Sequence, residues 1–181
     1  MSIRRVKIVL LCEDSQHEAF ARRFLKGMGW NTRELRVEKS PSASSSAEQW
    51  VRKEFPNELK VYRRRSPASA LIAMIDADSK DIQDRIKEFE DTYKSRHVPF
   101  RHNGEAVAIV VPRRNIETWI HYLSEKSMNE VSEKDDYPKL DKERSCKPAV
   151  NHLVEQCKST WLNPNAPPAL KRLVKSIPES E

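Results

Sequence analysis

The sequence reads Ile8-Val9-Leu10-Leu11-Cys12-Glu13-Asp14 near its start, where five apolar residues are followed by two acidic ones. Later apolar runs also lead to acidic residues: Leu71–Ile75 precedes Asp76 and Asp78, and Val107–Val111 precedes Glu117. Short apolar runs separated by helical patterns are typical of strands that are buried on both faces of a parallel sheet. Ligands bind at the carboxyl ends of such strands, so the acidic residues are predicted to meet in one crevice.

Helical periodicity fills the intervals between these runs. Ser15 is predicted to cap the first helix, with Glu18 three residues later as in a capping box. The helix that carries Trp50 is predicted to be broken or kinked near Pro56, which lacks a backbone N–H. Alternation of apolar and charged residues predicts a half-exposed strand at 35–37. Apolar residues at helical spacing predict helices at 82–93, 115–123, 148–161 and 170–174.

This order of elements predicts an α/β protein with a Rossmann-like open, mostly parallel sheet of about four strands and with C-terminal helices. The chain has 181 residues, which is enough for one domain with a substantial core. Residues 1–124 are predicted to form the α/β core. Residues 125–181 are predicted to form a polar insertion and helices that pack on the same domain.

Charge and cysteine content limit the classes of function. One third of the residues are charged and the formal net charge is +6, which suits an anionic polymer better than an acidic partner. The three scattered cysteines contain no Cys-x-x-Cys pair, which argues against a disulfide framework and against a zinc site. The apolar run after the basic start is only five residues long. Neither a secretion signal nor a membrane span is therefore predicted, and we expect a cytoplasmic protein.

The acidic residues indicate a cation site. Carboxylates that are brought together repel one another and lose hydration, so a site that gathers them usually holds a hard cation. Asp76 and Asp78 are separated by one residue, so their side chains could both reach one Mg²⁺ or Mn²⁺ ion. Glu13 could complete the metal shell or move a proton. Structural alternatives remain open. The two aspartates could cap a helix that starts near Ser79, and Glu117 could interact with the macrodipole of its own helix.

Three stretches together resemble the Toprim fold, which is shared by type I topoisomerases, bacterial primases and the OLD-family and RloB-like nucleases of phage defence. They are Leu11–Ser15 with Glu13, Met74–Asp78 with its Asp-x-Asp, and Asn115–Tyr122 with its Glu-x-Trp. The resemblance covers residues 6–123 and is closest to the small RloB-like and OLD-type proteins. It implies a nuclease that depends on Mg²⁺ or Mn²⁺ and acts in phage defence.

The resemblance also implies roles for single residues. Glu13 would be the general acid/base and part of the metal shell, Asp76 and Asp78 would be metal ligands, and Glu117 would be an additional ligand. Toprim proteins often have Gly where this chain has Asp14, which could cap the following helix or be solvated. Topoisomerases tend to carry a third acid where this chain has Lys80. That departure, with no domain for a tyrosine nucleophile and no zinc module, argues against a topoisomerase and against a complete primase.

Arginines are expected beside the acids. Arg113 and Arg114 leave the Val107 strand at the same edge of the sheet, and guanidinium groups suit phosphate oxygens, so we expect them to contact the backbone of DNA or RNA. His121 is expected to be structural or exposed rather than catalytic. OLD-type Toprim domains are often coupled to an ATPase, and this chain has no P-loop, so an ATPase partner in trans is expected.

Two other functions fit parts of the pattern. A Toprim domain can act as a non-catalytic module that binds nucleic acid or protein. A receiver-like phosphoacceptor would also have acids after its first strand. However, the Val107 strand leads to Pro112-Arg113-Arg114 instead of the Lys-Pro of a receiver. The receiver interpretation is therefore the weakest of the three.

Overall fold

A four-stranded, all-parallel sheet lies at the centre of the protein, whose computed structural model describes residues 7–41, 46–65, 69–102, 104–124 and 137–159. The strands are β1 (Lys7–Cys12), β2 (Arg36–Lys39), β3 (Ser69–Met74) and β4 (Val107–Val110). Their order in the sheet is β2-β1-β3-β4. The predicted α/β class with an open parallel sheet is confirmed.

Helices cover both faces of this sheet. One face carries α1 (Ser15–Gly27), α4 (Ile116–Ser124) and α5 (Lys147–Lys158), and the other carries α2 (Ala47–Arg63) and α3 (Ile82–Ser95). Strand β1 is buried on both faces. Ile8 and Leu10 pack in the apolar cluster formed with α1, α4 and α5, and Val9 and Leu11 pack in the cluster formed with α2 and α3. Burial on both faces explains why the strand is a continuous apolar run without polar alternation.

The direction of winding reverses between β1 and β3. The chain leaves β1 through α1 towards β2 on one side, and it leaves β3 through α3 towards β4 on the other side. In open α/β sheets a crevice forms at the carboxyl ends of the two strands where such a reversal occurs, and ligands bind in it. The topology therefore selects the ends of β1 and β3 as the place to look for a site.

The cap of α1 differs from the prediction. Asp14, and not Ser15, is the N-cap residue, and its Oδ1 accepts the backbone N–H of Gln16 at 2.9 Å and that of His17 at 3.1 Å. A carboxylate at this position satisfies two backbone donors of the first turn and also interacts favourably with the helix dipole. Of the two roles considered for Asp14, capping is the one observed.

Helix α2 continues through Pro56 to Arg63, so the predicted break is wrong. Proline removes one backbone hydrogen bond from a helix interior. The neighbouring Phe55 and Leu59 are fully buried, and the Phe55 ring packs edge-on against Phe89 with the ring centroids 5.6 Å apart. Tertiary packing of this apolar face stabilises the helix and offsets the local cost.

The remaining elements follow the predictions. Strand β2 and helices α3 and α4 occur where they were expected, and α5 confirms the helix predicted from Pro148. Leu153 of α5 is fully buried in the same cluster as α1 and α4. Helix α5 ends at Lys158, three residues before the predicted end at Trp161, and the helix predicted at 170–174 lies outside the described residues. Within the described ranges, no helix combines the length and apolar character that crossing a bilayer requires.

Candidate metal centre at the carboxyl edge of the sheet

Glu13 and Asp76 lie side by side where the winding reverses. The parallel register pairs Cys12 with Met74 at the ends of β1 and β3, so the residues that follow both strands start from the same edge. Oε1 of Glu13 accepts the backbone N–H of Asp76 at 2.6 Å. Two acids that are 63 positions apart in the chain therefore share one crevice.

His17, which was not among the residues predicted from the sequence, is the third group in this crevice. Its side chain is fully buried in the first turn of α1. Nδ1 of His17 lies 3.0 Å from Oδ1 of Asp14, and Nε2 lies 3.1 Å from Oδ1 of Asp76. Among the described residues, Glu13, His17 and Asp76 each offer one ligand atom, and these atoms lie within 4.8 Å of one another. The signal in the sequence was the spacing of three residues between an N-capping acid and a histidine.

His17 carries positive charge between two acids. Burial lowers the pKa of His17, but Asp76 and Asp14 outweigh this effect and raise it well above the usual value for histidine. Asp14 shows the reciprocal effect. Burial opposes its ionisation, yet the hydrogen bond from His17 and the charge of His17 hold the pKa of Asp14 well below its usual range. The imidazolium therefore compensates negative charge within the crevice.

The pKa of Glu13 shifts in the opposite direction from that of Asp14. Burial raises the pKa of Glu13 to about 7, with the charge of His17 opposing this rise and that of Asp76 adding to it. Glu117, in the first turn of α4, is 2% exposed, and burial also raises its pKa, with a contribution from Asp76. Glu13 can therefore exchange a proton near neutral pH, which is what a general acid or base requires.

Asp78 is turned away from this cluster. Its Oδ2 accepts a hydrogen bond from Nη2 of Arg85 at 2.7 Å, and its side chain is 58% exposed. Arg85 is buried and also binds Glu88 and Glu48, so it holds Asp78 within an ion-pair network between α2 and α3. The structure does not bring Asp78 to the ligand atoms of Glu13, His17 and Asp76. Glu117 likewise lies outside that group.

The capping alternative for the two aspartates is wrong. Helix α3 begins at Ile82, and its N-cap residue is Asp81. Asp76 and Asp78 therefore lie before the cap. Both residues follow the end of β3 and lie at the carboxyl edge of the sheet.

Arg113 and Arg114 reach the predicted edge and contact the segment that follows Asp76. Nη1 of Arg113 lies 3.2 Å from Oδ1 of Asp81, and Nη1 of Arg114 donates to the backbone carbonyl of Asp78 at 3.2 Å. The backbone N–H of Asp78 donates in turn to the carbonyl of Arg114 at 2.8 Å. Both Asp78 and Arg114 have positive φ, at 53° and 64°. Such left-handed residues carry strain of about 1 kcal/mol or more, and strain of this kind often occurs at functional sites.

An open cleft lies beside the acids. It has a volume of about 440 Å³, and its lining includes Glu13 and Asp14 at one side and Lys39, Ser40 and Pro41 at the other. Nζ of Lys39 lies 2.9 Å from Oε2 of Glu18, at the surface of α1. The cleft gives a ligand access to Glu13 from solvent.

Tyr137 contacts α4, and Lys139 contacts the N-cap residue of α1. The Tyr137 ring stacks on the His121 ring with the centroids 4.4 Å apart, and Nζ of Lys139 lies 3.7 Å from Oδ2 of Asp14. His121 therefore has a structural contact, and its ring does not belong to the Glu13 cluster. Lys139 places an exposed cation at the rim of the crevice.

Glu13→Gln is expected to stabilise the metal-free protein above pH 7 by about 1–2 kcal/mol. The pKa of Glu13 in the folded protein, about 7, lies above the ordinary value of 4.5. Between these values the folded state binds more protons than the unfolded state, so stability falls as the pH rises through this window. Glutamine has no such titration, and its amide oxygen can still accept the Asp76 N–H.

Urea unfolding in EDTA at about pH 5 and about pH 8 measures this effect, because the free energy of unfolding is obtained by linear extrapolation. The wild type should lose more stability than the variant between the two pH values. Identical losses in both proteins would contradict the assigned environment of Glu13.

Comparisons with protein-family models, with curated proteins and with solved structures found no match to this chain.

Proposed function

We propose that this protein binds a divalent cation, Mg²⁺ or Mn²⁺, at Glu13 and Asp76 and hydrolyses phosphodiester bonds in nucleic acid as a Toprim-like nuclease of phage defence. One observation carries the proposal. The two carboxyl groups converge with His17 at the reversal of winding, where their ligand atoms lie within 4.8 Å of one another. Carboxylates together with waters and a substrate phosphate are the ligands that Mg²⁺ and Mn²⁺ prefer.

The residues of the crevice fit the steps of such a reaction. When bound, a divalent cation stabilises negative charge on the phosphate and activates a water. Asp76 is fixed by His17 on one side and by the end of β3 on the other, so its carboxylate can hold the cation in place. Glu13 lies beside Asp76 at the same edge, where its carboxylate would either complete the metal shell or accept a proton from the attacking water.

The charge distribution favours a polyanionic substrate. The formal net charge of the chain is +6, Lys139 lies at the rim of the crevice beside Asp14, and Arg113 pairs with Asp81 on the segment that follows Asp76. A nucleic-acid backbone that passes these residues would bring a phosphate to Glu13 and Asp76. DNA and RNA share this backbone charge, so both are candidate substrates.

A cleavage assay tests the proposal. End-labelled single-stranded and double-stranded DNA and RNA are incubated with the purified protein in Mn²⁺, Mg²⁺ or EDTA, alone and with any ATPase that is found encoded beside it. We expect cleavage of at least one substrate with a divalent cation and no cleavage in EDTA. Intact substrates under every condition would reject hydrolysis as the function.

Arg113→Ala is expected to weaken nucleic-acid binding and to lower the slope of log affinity against log salt by about 1, because one phosphate contact and its released counterion are lost. The Arg113 side chain is 35% exposed and pairs with Asp81. Arg114 is a poorer choice for this test, since its positive φ and its bond to Asp78 give it a structural role.

Arg96→Ala is the matched control, because Arg96 is an exposed arginine that follows α3 at the opposite edge of the sheet. Filter binding at several salt concentrations gives both slopes. Equal slopes for the wild type and Arg113→Ala would mean that the backbone of the substrate passes elsewhere.

A non-catalytic binding module is the second candidate function. It is favoured by the pairing of Asp78 with Arg85, because the cluster then contains fewer carboxylates than the Toprim resemblance implies. A binding module should bind nucleic acid equally well in EDTA, and Asp76→Asn should not change its affinity. The nuclease should bind without cleavage in EDTA and lose cleavage in the same variant.

A further inference from the structure

His17 has the position of a metal ligand as well as that of an ion-pair partner. Its ring is fully buried, and Nε2 faces Oδ1 of Asp76 at 3.1 Å. Two ligands that bind one ion at about 2.1 Å and at right angles to each other lie about 3 Å apart. An ion could therefore be shared by His17 and Asp76 without a large movement of either side chain.

Asp14 fixes the orientation of this ring. Its Oδ1 lies 3.0 Å from Nδ1 of His17 and accepts the backbone N–H groups of Gln16 and His17. The carboxylate is thus held by the start of α1, and it directs Nε2 towards Asp76. Metal-binding histidines commonly make such a contact, in which a carboxylate accepts the other ring N–H and fixes the orientation of the ring.

We propose that Nε2 of His17 is a ligand of the cation at Glu13 and Asp76, that Asp14 is its positioning residue, and that the centre therefore prefers first-row transition ions to Mg²⁺. This inference rests on the metal site of the proposed function and specifies its ion. It differs from an all-carboxylate centre in the nature of one donor atom.

The preference follows from the chemistry of the donors. Mg²⁺ is a hard ion that takes oxygen ligands and keeps several waters, whereas an imidazole nitrogen suits Zn²⁺, Fe²⁺ and Co²⁺ and is accepted less strongly by Mn²⁺. The bond from the metal to Nε2 takes the place of the hydrogen between Nε2 and Asp76, and that proton leaves to solvent. The hydrogen bond from Nδ1 to Asp14 remains.

Pulsed electron paramagnetic resonance of the wild-type protein with Mn²⁺ alone tests the proposal, because coupling to ¹⁴N reports a directly bound imidazole. We expect ¹⁴N coupling in the wild type, its loss in His17→Gln, and its retention in His121→Gln, the matched control on α4. Calorimetry with Mn²⁺ and Mg²⁺ should show that His17→Gln lowers the affinity for Mn²⁺ by about 10-fold or more and changes that for Mg²⁺ much less.

Asp14→Asn tests the positioning role without loss of the helix cap, since asparagine caps helices as well as aspartate does. We expect ¹⁴N coupling to persist in this variant, while the ratio of Mn²⁺ to Mg²⁺ affinity falls by about 10-fold. An unchanged ratio would overturn the role of Asp14. If His17→Gln does not fold, absence of ¹⁴N coupling in the wild type still overturns ligation by His17, and retained coupling in Asp14→Asn with an unchanged affinity ratio overturns the role of Asp14.

The outcomes separate this inference from the proposed function. Bound Mn²⁺ without ¹⁴N coupling would overturn ligation by His17 and leave a carboxylate metal site in place. Coupling that persists in His17→Gln would overturn it as well. If the wild type binds no Mn²⁺ at millimolar concentration, both the inference and the proposed metal site fail.

Discussion

Asp76→Asn is expected to lower metal-dependent cleavage by about a thousandfold or more, because a bound metal contributes several kcal/mol to stabilising the transition state. The amide keeps the size of the carboxylate but lacks its charge, and it is the Asp76 carboxylate that pairs with His17, while the backbone N–H of Asp76 donates to Glu13. We expect Mn²⁺ to raise the thermal stability of the wild type but not that of the variant, because a ligand stabilises only the state that binds it.

Asp91→Asn is a suitable control for this experiment, since Asp91 is exposed on α3. Circular dichroism of both variants checks that the helices and the sheet are retained. If Asp76→Asn keeps more than about a tenth of the wild-type rate while remaining folded, Asp76 is not a ligand on which the reaction depends.

Trp119→Ala is expected to lower the free energy of unfolding by about 3–5 kcal/mol, the usual cost of removing a large aromatic side chain from a core. Trp119 is fully buried on α4, and its ring contacts Phe20 of α1 with the centroids 6.0 Å apart. The contact joins the helix that carries Glu117 to the helix that carries His17. Loss of the ring should therefore loosen the support of the crevice as well as the core.

Trp119→Phe is the matched variant. The indole Nε1 of Trp119 makes no hydrogen bond in the part of the chain that the structure describes, so phenylalanine removes volume without removing a polar contact. Its cost should be about 1–2 kcal/mol, well below that of alanine. Urea unfolding monitored by far-ultraviolet circular dichroism measures both. Equal costs for the two variants would mean that the packing volume at this position is not what stabilises α4.

The strand ends were predictable because two simple rules agree. Five apolar residues before Glu13 and five before Asp76 indicate strands buried on both faces, and parallel strands end at a common edge. The adjacency of these acids depends on direct pairing of β1 with β3, which the structure confirms. Sequence and topology therefore sufficed to bring Glu13 and Asp76 together.

The direction of the other site side chains was not predictable in this way. Asp78 has positive φ and binds Arg85, a residue seven positions later whose burial depends on the packing of α2 against α3. Sequence periodicity does not predict this pairing of Asp78 with Arg85. Pro56 gives a similar lesson, since tertiary packing of α2 overrides the local effect of proline.

His17 shows the limit of reading each residue alone. It lies on a helix with ordinary amphipathic spacing, and a single histidine is a weak signal. Its role becomes visible only when the N-cap at Asp14 and the end of β3 at Asp76 are placed on either side of it. The first contact is local and could be inferred from spacing, whereas the second requires the fold.

The most direct test of the metal centre is an anomalous difference map from crystals that are soaked in MnCl₂. We expect one strong peak within coordination distance of the carboxylate oxygens of Glu13 and Asp76, and no such peak in crystals of Asp76→Asn. A peak bound to other residues, or no peak in wild-type crystals at saturating Mn²⁺, would contradict the assignment of this crevice as the metal centre of the protein.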